Sequence, residues 1–194
     1  TGRAYQERSL IAATLLSVNL YAELNTQDGQ APVPVTFYQT PGFEFFTSDV
    51  ANPRTVRCNY RTSIGTAYTV IGTTVYFVNS NRTLSVVGFI ADRPSQIYMA
   101  DNGLAVVLVD GVNGYAIDIV TNDFGQIIDP AFYGADFVVF QDTFFAFNRP
   151  GTNQFYISLS QVSYALLTSG TSFDPLDIAA KSGSGDPIVA LLSI

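Results

Sequence analysis

Thr74-Val75-Tyr76-Phe77-Val78-Asn79, Gly114-Tyr115-Ala116-Ile117-Asp118-Ile119 and Gln154-Phe155-Tyr156-Ile157-Ser158-Leu159 can be laid over one another, with Val75, Tyr115 and Phe155 spaced 40 residues apart each time. Ahead of the second and third copies stand Ile97-Tyr98-Met99-Ala100-Asp101 and Val138-Val139-Phe140-Gln141-Asp142, whose aspartates are 41 residues apart. Short runs of β-branched and aromatic residues bounded by turn residues read as strands. A repeating unit of roughly 40 residues built from short strands has the length of a propeller blade. The expected fold is all-β: a β-propeller of roughly 40-residue, four-stranded antiparallel blades, incomplete within this chain.

Around that repeat the strands can be placed one by one. Residues 55–61, 66–71, 74–79 and 83–90 form a first four-stranded meander, with Gly65, Gly72-Thr73 and Ser80-Asn81-Arg82 as its turns. A second follows at 95–100, 104–110, 114–120 and a weak 125–128. Its run Leu104-Ala105-Val106-Val107-Leu108-Val109 has no polar face, which predicts a strand covered on both sides, as blade stacked on blade would do. The third unit gives 136–141, 143–148 and 154–160. Its fourth strand is not legible, because 161–185 is irregular and rich in Ser and Gly, and 186–193 reads as the opening strand of a further blade. The chain thus divides into 1–52, leading strands and a loop that would complete a blade, and 53–194, about three blades and the start of another.

Within the leading segment, the apolar run Leu10 to Val18 follows Arg3 and Arg8 but is short, is preceded by Glu7 and is not followed by a clean cleavage site, so it reads as a strand and not as a secretory signal. Asp28-Gly29 marks a hairpin turn or exposed loop. Thr40-Pro41-Gly42 is a second turn, after which Phe43, Phe45 and Phe46 need burial.

Composition bounds the chemistry. The 194 residues are 47% hydrophobic, ample for a core, and the 26 Phe and Tyr outnumber the 25 charged residues, which excludes a disordered chain. A net charge of −7 argues against specific nucleic-acid binding, which needs clustered Lys and Arg. Up to Ile97 there are seven bases and six acids; beyond it there are ten acids with only Arg149 and Lys181. With no histidine, Ser-His-Asp, Cys-His and imidazole-metal arrangements are all absent. Cys58 has no partner for a disulfide and reads as a small core residue.

The remaining candidates have plain structural readings. Asp174 and Asp177 flank Pro175-Leu176 and could form an acid and base pair, but a turn that uses Asp as an acceptor of backbone N–H groups is the commoner meaning. Asp110 to Gly114 has calcium-loop residue types without the carboxylate spacing, so a hairpin turn is favoured. Arg54, Arg57 and Arg61 are the one basic cluster. Strand alternation puts Arg57 and Arg61 on one face with Arg54 on the other, and Arg57 and Arg61 are the interface candidates.

An ordered set of strings runs along nearly the whole chain: Val18-Asn19-Leu20-Tyr21-Ala22-Glu23, Gln39-Thr40-Pro41-Gly42-Phe43, Tyr98-Met99-Ala100-Asp101-Asn102-Gly103, Asp129-Pro130 through to Phe140-Gln141-Asp142, Gly170-Thr171-Ser172-Phe173-Asp174-Pro175-Leu176-Asp177, and Ser184-Gly185-Asp186-Pro187-Ile188-Val189. In these strings and their order the chain resembles the packaged-DNA stabilisation proteins of short-tailed bacteriophages. It departs at Ala22, where that family has Pro, and at Phe173, where it has Trp.

The resemblance implies a propeller tail hub, a structural virion protein at the head-to-tail interface that seals the portal channel and helps anchor tail fibres, spikes or a needle. It further implies a homo-hexamer, portal or adaptor ring partners, and a carboxy-terminal remainder of the propeller beyond this amino-terminal portion. No catalytic, cofactor or metal residues come with it, and no membrane contact. The alternative from another class is a carbohydrate-binding or glycan-cleaving propeller, which needs exposed aromatics and paired carboxylates around a pocket.

Overall fold

The structure is a computed structural model that describes residues 20–24, 35–39, 44–49, 54–181 and 185–192. Packing divides the chain into two compact units, residues 1–45 and 46–194. The first contributes one antiparallel pair, β1 (Leu20–Leu24) with β2 (Val35–Gln39), in which Leu20 faces Gln39 and Leu24 faces Val35. The readings of the run before Val18, of Asp28-Gly29 and of Thr40-Pro41-Gly42 fall outside the described residues.

The second unit holds three four-stranded antiparallel meanders. They are β3 (Val56–Arg61), β4 (Ala67–Ile71), β5 (Thr74–Val78) and β6 (Leu84–Phe89); β7 (Tyr98–Asp101), β8 (Ala105–Val109), β9 (Gly114–Asp118) and β10 (Phe124–Gln126); and β11 (Val138–Gln141), β12 (Phe144–Asn148), β13 (Gln154–Ser158) and β14 (Phe173–Ala180). The three overlaid strings become β5, β9 and β13, the third strand of each sheet. This is an incomplete β-propeller: within each sheet every strand pairs with the next in the chain, and β7 stands beside both β3 and β11.

Sequence chemistry explains the turns. Ile71 pairs with Thr74 across a two-residue loop whose first member, Gly72, has φ +59°, a conformation open to glycine at little steric cost. The matching loop between β11 and β12 uses Asp142 (φ 49°) and Thr143 (φ 77°) instead. A β-branched residue pays a steric penalty there, and Thr143 is held by the Gln161 amide on its carbonyl at 2.8 Å.

The middle sheet carries the core. Every residue of β8 is buried. Val106 and Leu108 enter a cluster with Tyr68, Val70 and Val75 of the first sheet, while Ala105, Val107 and Val109 enter another with Phe145, Phe147 and Tyr156 of the third. The face turned to the third sheet is made of small residues, including Ala100, Ala105 and Ala116, and the third sheet presents rings to it. Those rings contact one another, Phe147 stacking on Tyr156 at 5.3 Å with Phe132 and Phe173 edge-on or tilted around them. On the other side the Phe124 ring lies on Gly88 so closely that a Cβ there would sit 2.3 Å from a ring carbon.

The structure departs from the sequence reading in four places. The third sheet does have a fourth strand, β14, which Pro175, Asp174 and Asp177 disguise; Pro is tolerated because an edge strand leaves alternate amides unpaired. Between β13 and β14 a short helix, α1 (Tyr164–Thr168), capped by the Ser163 side chain, fills space beside β9 and β10 and buries Leu167 completely. Residues 185–192 pair in no sheet, although the Ile188 amide donates to the Thr152 carbonyl at 2.8 Å. Extended chain becomes a strand only when paired along its length with another, and this bond reaches the bend before β13 and not a strand. Phe45 and Phe46 stay exposed, at 73% and 55%, with the Arg82 guanidinium over the Phe46 ring.

Because Leu108 fills the contact between two sheets, Leu108→Ala is expected to cost about 2–5 kcal/mol in urea unfolding. Leu104→Ala, four residues earlier but half-exposed, should change stability by less than about 0.5 kcal/mol.

Candidate functional site

The sheets are joined by polar clamps, and one of the arginines singled out in the sequence, Arg57, belongs to one of them. β3 carries a bulge: Val56 faces Ile71 and Cys58 faces Val70, leaving Arg57 as the extra residue. A bulge re-aims its side chain and breaks strict alternation. Arg57 therefore reaches the connection to the second sheet, its Nε and Nη2 donating to the Ser95 carbonyl at 3.0 and 2.7 Å and its Nη1 to the Gly72 carbonyl at 3.0 Å. Ser95 in turn donates from Oγ to the Asp110 carbonyl at 2.6 Å, so one guanidinium ties a turn of the first sheet, the linker and a turn of the second. Arg61 goes elsewhere. It is exposed, 3.4 Å from the Gly65 carbonyl, beside a depression that also takes in Tyr60, Ser63 and Asp101.

Asp101 is the second clamp. Its carboxylate is buried at the end of β7 and accepts from the Tyr60 hydroxyl (2.6 Å), the Ser63 amide (3.0 Å) and the Ser63 hydroxyl (2.5 Å), all on the first sheet. Burial, then the bond to Asp101, push the Tyr60 phenol well above its ordinary range. Asp142, its counterpart 41 residues on, is exposed in the β11–β12 turn, so the sequence repeat does not carry the clamp to the third sheet. There the work passes to Asp129, buried, whose Oδ2 takes the Ser172 and Phe173 amides at 2.6 and 2.9 Å and whose Oδ1 takes that of Ala131 at 2.8 Å. Asp101 and Asp129 were legible only as parts of short strings, because their partners lie 38 or more residues away.

The other candidates resolve simply. Asp110 is buried and its Oδ1 accepts the Val112 and Asn113 amides at 3.0 and 2.6 Å, closing a hairpin turn. Asp174 accepts the Leu176 amide at 2.9 Å, and both it and Asp177 lie exposed on an edge strand. Cys58 faces the cluster between the first two sheets, where burial pushes its thiol up to about 11. Among the described residues no three His, Cys, Asp or Glu side chains gather as a metal site would require.

What the arrangement leaves available is surface. The face of the first sheet turned away from the second exposes Val86 and Phe89, next to residues 47–49, where the Tyr76 hydroxyl donates to Asp49. The outer face of the third sheet carries Val139, Phe144, Ala146, Phe155 and Ile157, all only partly covered.

Removing the fork of Arg57 strands two partly buried carbonyls, so Arg57→Ala is expected to lose about 2–3 kcal/mol in urea unfolding. Arg57→Lys should restore less than half of it, since an ammonium cannot reach both carbonyls in one plane. A thiol titrating near 11 is protonated at pH 8, and iodoacetamide should therefore label Cys58 at least about tenfold more slowly in the native chain than in urea.

A solved structure similar to the chain is that of a catalytically inactive virginiamycin B lyase from Staphylococcus aureus with quinupristin, at 13% identity and TM-score 0.42, covering 72% of this chain. The chain spans 45% of that protein's length. No curated protein matches the sequence. The family model described as bacteriophage P22 Gp10, β-propeller, matches residues 2–194, almost from end to end, and the chain accordingly belongs to this family of phage structural proteins.

Proposed function

We propose that the chain is part of the tail hub at the head-to-tail interface of a short-tailed phage virion, where it helps seal the portal channel, stabilise the packaged DNA and anchor fibres, spikes or a needle. Membership of the phage Gp10 family over residues 2–194 is the observation that carries the reading. The geometry supports it. Rigid stacked sheets provide a scaffold of fixed shape, the connecting turns vary without disturbing it, and two partly apolar faces call for covering.

Two coverings fit this role: further blades continuing from the region of Asp186, and the ring contacts of a homo-hexamer. Portal or adaptor rings and the tail appendages are the outside partners, and Arg61, exposed beside the end of β3, is the residue of the first sheet best placed to meet one. Arg57 serves such a contact indirectly, by fixing the linker.

The experiment has two readouts. Sedimentation of the 21.0 kDa chain alone should show concentration-dependent species larger than a monomer, because the uncovered faces of the outer sheets seek partners. Mixed with purified portal rings, the chain should co-sediment with them. A clean monomer at high concentration that ignores portal rings sinks the proposal.

A further inference from the structure

Seven Arg and Lys side chains lie among the described residues, and the fold brings three of them to one depression of about 400 Å³ framed by Arg54, Thr55, Arg57, Gly72, Asp92 and Arg93. The sequence had grouped Arg54 and Arg57 with Arg61. The bulge in β3 and the path of the linker replace Arg61 by Arg93.

Each arginine is held differently. Arg57 is fixed at the floor by the Gly72 and Ser95 carbonyls. The stem of Arg54 lies against the bare Cα of Gly72, where an added Cβ would come within 2.3 Å of Arg54 Cδ. That places its guanidinium at the rim, only loosely paired: Nη1 stands 3.5 Å from Oδ2 of Asp92, and the two side chains are 51% and 77% exposed. Arg93, itself 41% exposed, has Nε 3.9 Å from Oδ2 of Asp110, an oxygen that also accepts from the Asn113 side-chain amide at 3.2 Å and the Tyr115 hydroxyl at 3.5 Å. Two guanidinium forks thus face the depression without a close, bidentate carboxylate, although such pairing is what their geometry favours.

We infer that this depression is a binding site for a single carboxylate, the Asp or Glu side chain of a partner protein, received between Arg54 and Arg93 in competition with Asp92. Charge selects the ligand class. Three guanidinium charges against those of Asp92 and Asp110 leave a local surplus of one, which one carboxylate neutralises. A nucleic-acid backbone would set a row of phosphates against a chain of net charge −7, with few cations outside the depression to meet them. Asp92 acts as an exposed internal stand-in that keeps Arg54 extended until the partner's carboxylate takes its place. The inference rests on the assembly reading for the source of that carboxylate; the site's chemistry stands on the three arginines.

The test is fluorescence anisotropy of a labelled, glutamate-containing peptide with the whole chain at low salt. Expected is saturable binding, weakened about tenfold by Arg54→Gln combined with Arg93→Gln and left within about twofold by Lys181→Gln, which removes an exposed positive charge just past β14, away from the depression. Asp92→Asn, which deletes the competitor, should tighten binding about threefold or more, and it keeps the test decisive should the double variant lose its β-sheet circular dichroism. Equal weakening by Lys181→Gln, no gain from Asp92→Asn, or displacement of the peptide more readily by a short DNA duplex than by unlabelled peptide would each overturn the assignment. Loss of peptide binding alone, with co-sedimentation on portal rings intact, removes this site and leaves the assembly role standing.

Discussion

A strand with no polar side cannot exist at a surface, and β8 is such a strand. Ala105 to Val109 are buried without exception, odd positions against the third sheet and even positions against the first. Burying apolar surface is the dominant favourable term in folding, at about 25 cal/mol for each Å². The middle sheet can gain it only with a neighbour on each side. This makes the stack a nearest-neighbour structure whose parts stabilise one another in series. It also fixes the shapes at each contact: alanines on one side of β8 and β9 make room for the Phe145, Phe147 and Tyr156 rings, and a bare glycine at position 88 receives Phe124.

Apolar contact alone would leave the sheets free to slide, since it has little directional preference. The polar clamps supply direction. Asp101 accepts from both a hydroxyl and an amide of the first sheet, Arg57 binds carbonyls of a turn and of the linker, and Asp129 gathers amides from the start of β14. Each is a hydrogen bond to a charged group, stronger than its neutral equivalent and costly to leave unmade once buried. Stacked sheets gain rigidity from such fixed points more than from additional apolar area.

How much of this could be read in the sequence follows from range. The period of 40 residues is a local signal repeated, and it located β5, β9 and β13, while the unbroken apolar run from Leu104 to Val109 gave the double burial of β8. Turn chemistry at Gly65 and Gly72 divided the strands of the first sheet correctly. Hidden were the features set by tertiary contact. β14 was disguised by its proline, α1 has only five residues, and a single extra residue at Arg57 undid the parity argument that put it on one face with Arg61. Asp101 and Asp142 looked equivalent because they occupy the same place in the repeat, yet only Asp101 meets a Tyr60 and a Ser63. The arginine depression was invisible for the same reason, since Arg93 joins Arg54 and Arg57 only through the path of the linker.

The way the molecule treats its edges and its faces says how it grows. Outer edges are blunted: β10 is three residues long, β6 is out of register with β5 by one bulge, and β14 carries Pro175 with the exposed Asp174 and Asp177. Short strands, bulges, proline and edge charge all discourage the addition of a foreign strand. The faces at the two ends of the stack are treated in the opposite way, with Val86 and Phe89 exposed at one and an incompletely buried field of Phe144, Ala146, Phe155 and Ile157 at the other. A chain that closes its edges and leaves its faces apolar is built to be extended sheet upon sheet. Strand addition would propagate without limit, whereas face stacking in a fan ends when the circle closes. That difference suits a β-propeller, the fold of the family to which the chain belongs, in which the number of sheets is set by closure.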